Sequence, residues 1–195
     1  MLKKLIFVVN DPKYFVSHRM AIGVHAKENG YEVHVAAPGD CPIEISTVGI
    51  IYHDIDIARK GMNPFIELRT ILSLVTLFGK VRPDLVHLVT IKPYLYGGIA
   101  ARITRVKAVV SAVAGLGQLF SRKSKKNKII RWFLYPLYQF AFSHKNQVVI
   151  FQNSNDCNVL VEWGIIQKEK ACLIRGAGVD LDKYPYNKEP VGIPV

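Results

Sequence analysis

The chain has 195 residues, of which 50% are hydrophobic, and this length and composition suffice to bury a full core in a single globular domain. Its 26 Lys and Arg against 15 Asp and Glu give a net charge of +11, which exceeds what solubility needs and indicates a polyanion, an anionic membrane surface or a phosphorylated substrate as partner. Three cysteines, odd in number and without a CxxC pair, exclude a disulfide framework and fit reduced thiols in a cytoplasm.

The first elements along the chain predict a βαβ unit. An apolar run at residues 5–9 ends in the polar turn 10–12, a helical pattern follows and closes at Asn29-Gly30, and a second apolar run covers residues 33–37. Five apolar residues are too few for a signal peptide, so the first run is predicted to be a strand. Such a unit opens a parallel sheet.

The loop and first helical turn after that strand contain Ser17, His18 and Arg19. Open α/β sheets bind ligands at this position. We expect Ser17 to cap backbone N–H groups and Arg19 to add positive charge at a helix N-terminus, so the ligand is predicted to be anionic. Arg19 is the strongest candidate because a guanidinium grips phosphate through two parallel hydrogen bonds. The alternative is a capped helix start with solvated charges.

Strand and helix patterns alternate along the rest of the chain. A helix is predicted from Pro64 to about residue 81, with Asn63 as its N-cap. The alternation predicts an α/β fold built on a Rossmann-like, doubly wound parallel sheet. Further strand-like runs lie at residues 50–52, 85–90, 108–113, 148–152 and 171–175.

Two later strand ends carry candidate ligand contacts. Thr90 ends the run 85–90 and Lys92 begins the next helix, where both could touch a ligand. For Lys92 a solvated helix start is an equal alternative. His87, inside the same run, is interpreted as a satisfied core or rim histidine and not as a catalytic one.

A glycine loop, Gly115-Leu116-Gly117, follows the strand 108–113. It does not match the dinucleotide fingerprint, because Phe120 stands at the third glycine position and the loop does not follow the first strand. Glycine at this place would let backbone N–H groups approach a sugar or a pyrophosphate.

The densest basic and aromatic segment covers residues 122–138. The lysines favour an anionic leaflet, and Trp132, Tyr135 and Tyr138 are side chains typical of a membrane interface. A peripheral membrane dock is therefore favoured over the alternative, a surface loop followed by an ordinary core helix. The basic residues assigned to this dock, together with Trp132, are Arg122, Lys123, Lys125, Lys126 and Lys128.

Near the end of the chain, a glycine turn follows the last predicted strand. Arg175 and Asp180 flank this turn, and Gly178 is expected to have a positive φ. We expect a domain over residues 1–187, then a linker at 188–195 that enters a second domain. In the simpler alternative the turn only ends the domain.

Five blocks, in order, resemble the retaining family-four glycosyltransferases, and within them the bacterial branch that extends polyprenyl-pyrophosphate-linked sugars. The resemblance covers roughly residues 4–187. It implies the N-terminal, acceptor-binding half of a GT-B fold, whose nucleotide-sugar domain would follow. The blocks are FVSHRMAIGVHAKENGYEVHVAA, GMNPFIELRTILSL, VRPDLVHLVTIKPYLYGGIAARI, VVIFQNSNDCNVLVEWGII and IRGAGVDLDKY.

The resemblance implies transfer of a sugar, with retention, from a nucleotide donor (UDP-linked) to a lipid-linked saccharide in cell-surface glycan synthesis. It implies no bound cofactor or metal, and a cytoplasmic enzyme peripheral to the inner face of the plasma membrane. Residues 17–19 would lie over the cleft and contact the acceptor or the donor phosphate, and the loop 115–117 would line the acceptor side. Arg175, Gly178 and Asp180 would lie at the interdomain cleft. Many relatives place a donor-binding histidine near that loop, and residues 111–115 contain none.

A different class of function is also compatible with the pattern. The chain could be a non-catalytic, membrane-docking subunit that binds the acceptor while a separate chain supplies the nucleotide-sugar domain. Nucleic-acid binding is disfavoured, because the basic residues cluster in one loop and no aromatic-bearing strand motif is present.

Overall fold

The computed structural model describes residues 2–57, 63–116, 125–176 and 178, with the backbone alone at 125–131 and 133. Within them, seven parallel strands form one sheet in the order β3-β2-β1-β4-β5-β6-β7. The predicted doubly wound parallel sheet is confirmed. The strands are β1 (Lys3–Val8), β2 (Tyr31–Ala37), β3 (Ile51–Asp54), β4 (Leu85–Val89), β5 (Ala108–Val113), β6 (Gln147–Phe151) and β7 (Ala171–Leu173).

Helices connect these strands. The single helix predicted after β1 is two helices in the structure, which meet at Arg19, where the backbone leaves helical geometry at φ −132° and ψ −10°. The helices are α1 (Pro12–His18), α2 (Met20–Glu28), α3 (Ile43–Thr47), α4 (Pro64–Val81), a π-helical turn (Pro93–Gly97) continued by α5 (Gly98–Ile103), α6 (Lys125–Phe142), α7 (Ser154–Glu162) and a 3₁₀ turn (Lys168–Lys170).

The helix predicted over residues 64–81 is confirmed with its cap. The side chain of Asn63 accepts a hydrogen bond from the Phe65 N–H at 3.0 Å, and Pro64 occupies the first turn, where its missing N–H costs nothing. The helix ends at Arg82, which takes a left-handed conformation (φ 54°). Its buried side is formed by Thr70, Leu74, Phe78 and Val81.

The two faces of the sheet bury separate hydrophobic clusters. On one face, Phe7 of β1 packs edge-on against Phe15 of α1, with ring centroids 5.2 Å apart, and Ile45 of α3 joins this cluster. On the other face, α4, the π-helical turn, α5, α6 and α7 pack around side chains such as Leu88 and Tyr94. The helices before the crossover thus cover one face and those after it the other.

Glycines at the π-helical turn permit close packing against a strand and a helix. A Cβ on Gly97 would lie 2.6 Å from a methyl group of Leu88 on β4, and one on Gly98 would lie 2.8 Å from the Ala141 carbonyl oxygen of α6. The turn is therefore held between the central strand and α6. This fixes the segment that follows β4, which carries Thr90 and Lys92.

The chain reverses its direction of winding between β1 and β4. The connection from β1 leads to one side of the sheet and the connection from β4 to the other, so a crevice opens outside their carboxyl ends. The loop after β1 and the loop after β4 are the walls of this crevice. The sequence placed its candidate ligand contacts in these two loops.

Candidate functional site

A pocket of about 150 Å³ lies at the carboxyl ends of the central strands, on the side of the sheet that α1 and α2 cover. Its floor comes from β4, β5 and β6, one wall from the start of α2, and another from the residues that follow β7. Most of the lining is apolar, with one cation. The lining residues are Arg19, Ile22, His87, Ala112, Val113, Ala114, Ile150, Gln152, Ile174 and Gly176.

Arg19 is the charged residue of this pocket, and its residue surface is only 7% exposed. Its Nη1 donates to the carbonyl oxygen of His18 at 2.9 Å, and its guanidinium carbon lies 6.0 Å from the centre of the Tyr14 ring. Its Nε is buried without a hydrogen-bond partner in the structure. The carboxylates that form ion pairs among the described residues pair with other cations: Glu28, Glu32, Glu67 and Asp84.

A buried guanidinium without a carboxylate is unfavourable unless an anion completes it. The structure thus places Arg19 where the sequence predicted it, beside a cavity at the switch point of the sheet. The Arg19 side chain lines that cavity, and its guanidinium can donate to an anionic oxygen there. A phosphate group provides such oxygens in the geometry that guanidinium favours.

The capping role expected of Ser17 is wrong. Ser17 lies in the last turn of α1, and its hydroxyl donates to the Lys13 carbonyl oxygen at 2.9 Å. The N-cap of α1 is Asp11, whose side chain accepts from the Lys13 N–H at 3.0 Å, and α2 begins without a side-chain cap. A hydroxyl inside a helix reaches the carbonyl one turn earlier, so Ser17 bonds its own helix.

His18 packs against Tyr14 and is not among the residues that line the pocket. Its ring is stacked on that of Tyr14, with centroids 4.3 Å apart and planes 3° apart, and its Nδ1 is 2.7 Å from the Ser17 hydroxyl. The backbone carbonyl of His18 holds Arg19. Of the three residues predicted here, Arg19 alone is among those that line the pocket.

His87 belongs to the pocket, which the interpretation of it as a satisfied histidine did not anticipate. It is buried on β4 beside Phe7 of β1, with ring centroids 5.1 Å apart, but its Nε2 has no hydrogen-bond partner among the described residues. Burial, and then the charge of Arg19, lower the pKa of His87 from 6.5 to about 3. The imidazole is therefore neutral, and can give or take one hydrogen bond at the cavity.

Thr90 carries local backbone strain at the carboxyl end of β4. Its φ is +75°, a conformation that is rare for a β-branched residue. Its Oγ1 is buried without a partner, while its carbonyl oxygen accepts from the Tyr94 N–H at 3.0 Å and starts the π-helical turn. Thr90 is not among the residues that line the pocket, and its contact with a ligand stays a prediction.

Lys92 is placed differently from the prediction. Its Nζ forms an ion pair with the Glu67 Oε1 of α4 at 2.6 Å, and both side chains are largely buried. Burial and this same carboxylate raise the pKa of Tyr96. The structure therefore uses Lys92 to tie the loop after β4 to the first turn of α4, and neither a free ligand contact nor a solvated helix start describes it.

The glycine loop after β5 is only partly described. Gly115 has φ +154°, and a Cβ built on it would meet nothing within 4 Å. Leu116 is buried in the core with the cluster that contains Leu88, so its side chain anchors the loop. Gly117 lies outside the described residues.

The residues that follow β7 form the outer rim. Gly176 lines the pocket, Arg175 is exposed, and Gly178 has the expected positive φ of +75°. Asp180 lies outside the described residues. The predicted position of this turn at the edge of the cleft is consistent with the part that is described.

The predicted membrane segment is described only in part. Arg122 and Lys123 lie outside the described residues, and for Lys125, Lys126 and Lys128 the backbone alone, in α6, is described. Trp132 is 73% exposed, as a membrane-facing tryptophan requires. Tyr138, expected at the interface, is instead buried beside Tyr94, with ring centroids 6.3 Å apart. Among the described residues, no helix is both long and apolar enough to cross a bilayer.

Sequence reasoning missed several pocket residues. Gln152 directly follows β6 and Ile174 directly follows β7, and the rule that flagged Thr90 applies equally to both. Ile22 could not be found in this way, because it depends on the angle at which α2 leaves Arg19. The pocket thus joins one cation, polar groups from β4 and β6, and an apolar rim.

This arrangement can bind an anion that has an apolar neighbour. Among the described residues that line the pocket there is no carboxylate, and the groups present can position a ligand and stabilise its charge. Nor do three or more His, Cys, Asp or Glu side chains of this part of the chain converge as ligands for a metal ion.

The family profile described as "Glycosyl transferase 4-like" matches residues 4–153. A relative from Campylobacter jejuni, N,N'-diacetylbacillosaminyl-diphospho-undecaprenol alpha-1,3-N-acetylgalactosaminyltransferase, is 25% identical over 167 residues, which are 85% of this chain and 44% of the relative. An Escherichia coli relative, UDP-Gal:alpha-D-GlcNAc-diphosphoundecaprenol alpha-1,3-galactosyltransferase, is 29% identical over 118 residues, or 60% of this chain and 29% of the relative.

Solved structures share the fold. A protein from Anabaena, solved in complex with UDP and glucose, superposes with a TM-score of 0.62 at 16% identity, over 94% of this chain and 46% of its own. The chain therefore spans less than half the length of the relatives and the structure it matches.

Proposed function

The chain belongs to the glycosyl transferase 4-like family, and from that premise we propose that it is the acceptor-binding domain of a retaining GT-B glycosyltransferase. The acceptor is a saccharide linked through diphosphate to a polyprenyl lipid, in the synthesis of a cell-surface glycan. The donor is a nucleotide sugar, UDP-linked. The enzyme works in the cytoplasm, peripheral to the inner face of the plasma membrane.

The observation that carries this proposal is the buried, carboxylate-free Arg19 with its unpartnered Nε. His87 lines the same pocket and its Nε2 is also unpartnered among the described residues, as is the Oγ1 of Thr90, which ends the same strand outside the pocket lining. Two residues with orphaned polar atoms in one pocket favour a ligand that offers hydrogen-bonding oxygens, and the cation favours an anion. The acceptor diphosphate meets both requirements.

The relatives support the chemical class. Both printed names give a diphospho-undecaprenol-linked sugar as acceptor, and one gives UDP-Gal as donor. Both also give an alpha-1,3 linkage, the product that a retaining transferase makes from an alpha-linked nucleotide sugar. The apolar rim of the pocket, with Ile22 and Ile174, suits the lipid that follows the diphosphate.

In this proposal the domain contributes position and charge. Arg19 holds the diphosphate, and the neutral His87 and Thr90 orient it, so that the acceptor sugar projects from the carboxyl edge of the sheet. The nucleotide sugar is then bound opposite, by the other half of the enzyme. Fixing the two reactants in one geometry lowers the barrier without a proton donor on this side.

Without a further chain, the purified 195-residue chain is expected to fold and to transfer no sugar. The reason is that its pocket residues hold the acceptor side only. Incubation with radiolabelled UDP-Gal or UDP-GlcNAc and GlcNAc-diphospho-undecaprenol, followed by chromatography of the lipid product, measures this. The whole E. coli galactosyltransferase named above is the positive control. Turnover by the chain alone would overturn the assignment as an acceptor-binding half.

A further inference from the structure

The positive charge of this protein comes from one stretch of the chain. Residues 64–142 contain 13 Lys and Arg but only two acidic residues, Glu67 and Asp84, a net charge of +11. Residues 1–63 and 143–195 are each balanced, with seven and six charges of either sign. The whole net charge therefore belongs to the stretch that runs from α4 to α6.

Both acidic residues of that stretch are engaged. Glu67 forms its ion pair with Lys92 at 2.6 Å, and Asp84 forms one with Lys107 at 2.7 Å. The Glu67 carboxylate is largely buried under α4. Within residues 64–142, no further acidic residue is present to balance the remaining cations.

The outer face of α4 exposes large apolar side chains where a surface helix normally has polar ones. Phe65 is 84% exposed, and Leu68 and Leu72 are each more than half exposed. Their spacing of three and four residues puts them on one stripe, with the exposed Arg69 beside it. The opposite stripe, which includes Leu74 and Phe78, is buried in the core. The exposed stripe therefore does not take part in packing α4 against the core.

The neighbouring helices extend this apolar surface. α5 packs between α4 and α6 on the same face of the sheet, and on α6 Trp132 and Phe140 are exposed. Arg102 of α5 lies over the Phe140 ring, with its guanidinium carbon 5.2 Å from the ring centre. Exposed aromatic and aliphatic side chains interleaved with Arg and Lys are the composition of a surface that enters a lipid interface.

The start of α4 is also joined to the candidate site. The Glu67–Lys92 ion pair connects its first turn to the loop after β4, two residues beyond Thr90. The Thr70 hydroxyl donates to the Asp56 carbonyl oxygen at 3.0 Å, which fixes the helix on its other side. Any surface that contacts Phe65, at the start of α4, would therefore lie close to the crevice.

We propose that the stripe Phe65–Leu68–Leu72 on α4 is a membrane-insertion site, which seats the protein on an anionic bilayer with the acceptor crevice at the lipid surface. The occupant is a lipid interface because the stripe is apolar and belongs to the stretch of chain that carries the net positive charge. This proposal rests on the proposed function, because a lipid-linked acceptor is what requires the crevice to lie at a membrane. The basic segment 122–131 would supply long-range attraction, and the stripe the insertion.

The test is flotation of the purified chain with vesicles of phosphatidylglycerol and phosphatidylcholine. Phe65→Ser, Leu68→Ser and Leu72→Ser together should lower the partition coefficient about 100-fold, about fivefold for each side chain, and the loss should persist at high salt. The change of Lys123, Lys125 and Lys126 to Glu should instead remove the binding that salt screens. Ile43→Ser, at a 74% exposed residue of α3, is the matched control and should change nothing.

Phe65, Leu68, Leu72 and Ile43 are exposed, so their serine variants should keep the thermal unfolding midpoint of the wild type while binding changes. Wild-type flotation by the triple serine variant overturns the insertion site. So does a shift from dimer to monomer in that variant without loss of flotation, because the stripe would then be an interface between copies. The triple serine variant should bind a soluble diphosphate-linked sugar, measured without vesicles, as well as the wild type does. If the wild type does not bind this sugar, the proposed function is contradicted and the insertion site is not.

Discussion

Replacement of Arg19 by Ala is expected to weaken binding of a diphosphate by roughly 10- to 150-fold, which corresponds to about 1.5–3 kcal/mol for a hydrogen bond to a charged group. Arg19 is the cation that lines the pocket among the described residues, and its Nε has no other partner there. Titration calorimetry with inorganic diphosphate and with a short polyprenyl diphosphate measures the loss.

The stability of the same variant distinguishes binding from structure. Arg19 is buried without a carboxylate, so its removal relieves an uncompensated charge, and the thermal midpoint should stay equal or rise. Arg19→Lys should bind with intermediate affinity, since an ammonium keeps the charge but loses the paired donors. Lys145→Ala, at an exposed cation remote from the crevice, is the control for net charge. If Arg19→Ala loses stability and keeps its affinity, Arg19 is a structural residue and the anion site is refuted.

Acid should destabilise the folded chain through His87. Its pKa is lowered from 6.5 to about 3 in the folded state, so between these values the unfolded chain binds a proton that the folded chain does not. The free energy of unfolding therefore falls as the pH falls through this window, by about 1.4 kcal/mol for each pH unit from this group. Above pH 6.5 the contribution is complete.

His87→Gln keeps a polar side chain and removes this titration. Urea unfolding at intervals from pH 7 to pH 4 should give a shallower slope for the variant, by about one proton. The pKa of His53 is also lowered, by burial and then by His34, so His53→Gln is a useful comparison at a site far from the pocket. Identical slopes for wild type and His87→Gln would mean that His87 is not held neutral by burial.

The sheet and α4 could be predicted because their signals are local. Alternating apolar runs identify the strands, and an Asn-Pro pair before residue 65 fixes the start of α4. Asp11-Pro12 is the same signal, and it marks the true N-cap of α1, which the assignment of capping to Ser17 overlooked. The break at Arg19 has no such signal, because the residues on both sides favour helix.

The details of the site depend on contacts that the sequence separates. Lys92 meets Glu67 across 25 positions, and a pattern within either segment cannot reveal the pair. His87 was correctly predicted to be buried, but whether its Nε2 has a partner depends on what the neighbouring strands and α2 place around it. The strain at Thr90 depends on how the π-helical turn packs after it. The positions of the strand ends could be predicted from the sequence, but which polar side-chain atoms lack a hydrogen-bond partner could not.

The measurement that tests the central claim most directly compares two ligands on this one chain. Equilibrium binding of a short-chain polyprenyl-diphospho-GlcNAc and of UDP-GlcNAc is measured side by side, with inorganic diphosphate as competitor. The proposed function predicts that the lipid-linked sugar binds, that diphosphate displaces it, and that UDP-GlcNAc binds only weakly. Tight binding of UDP-GlcNAc, together with no binding of the lipid-linked sugar, would contradict it.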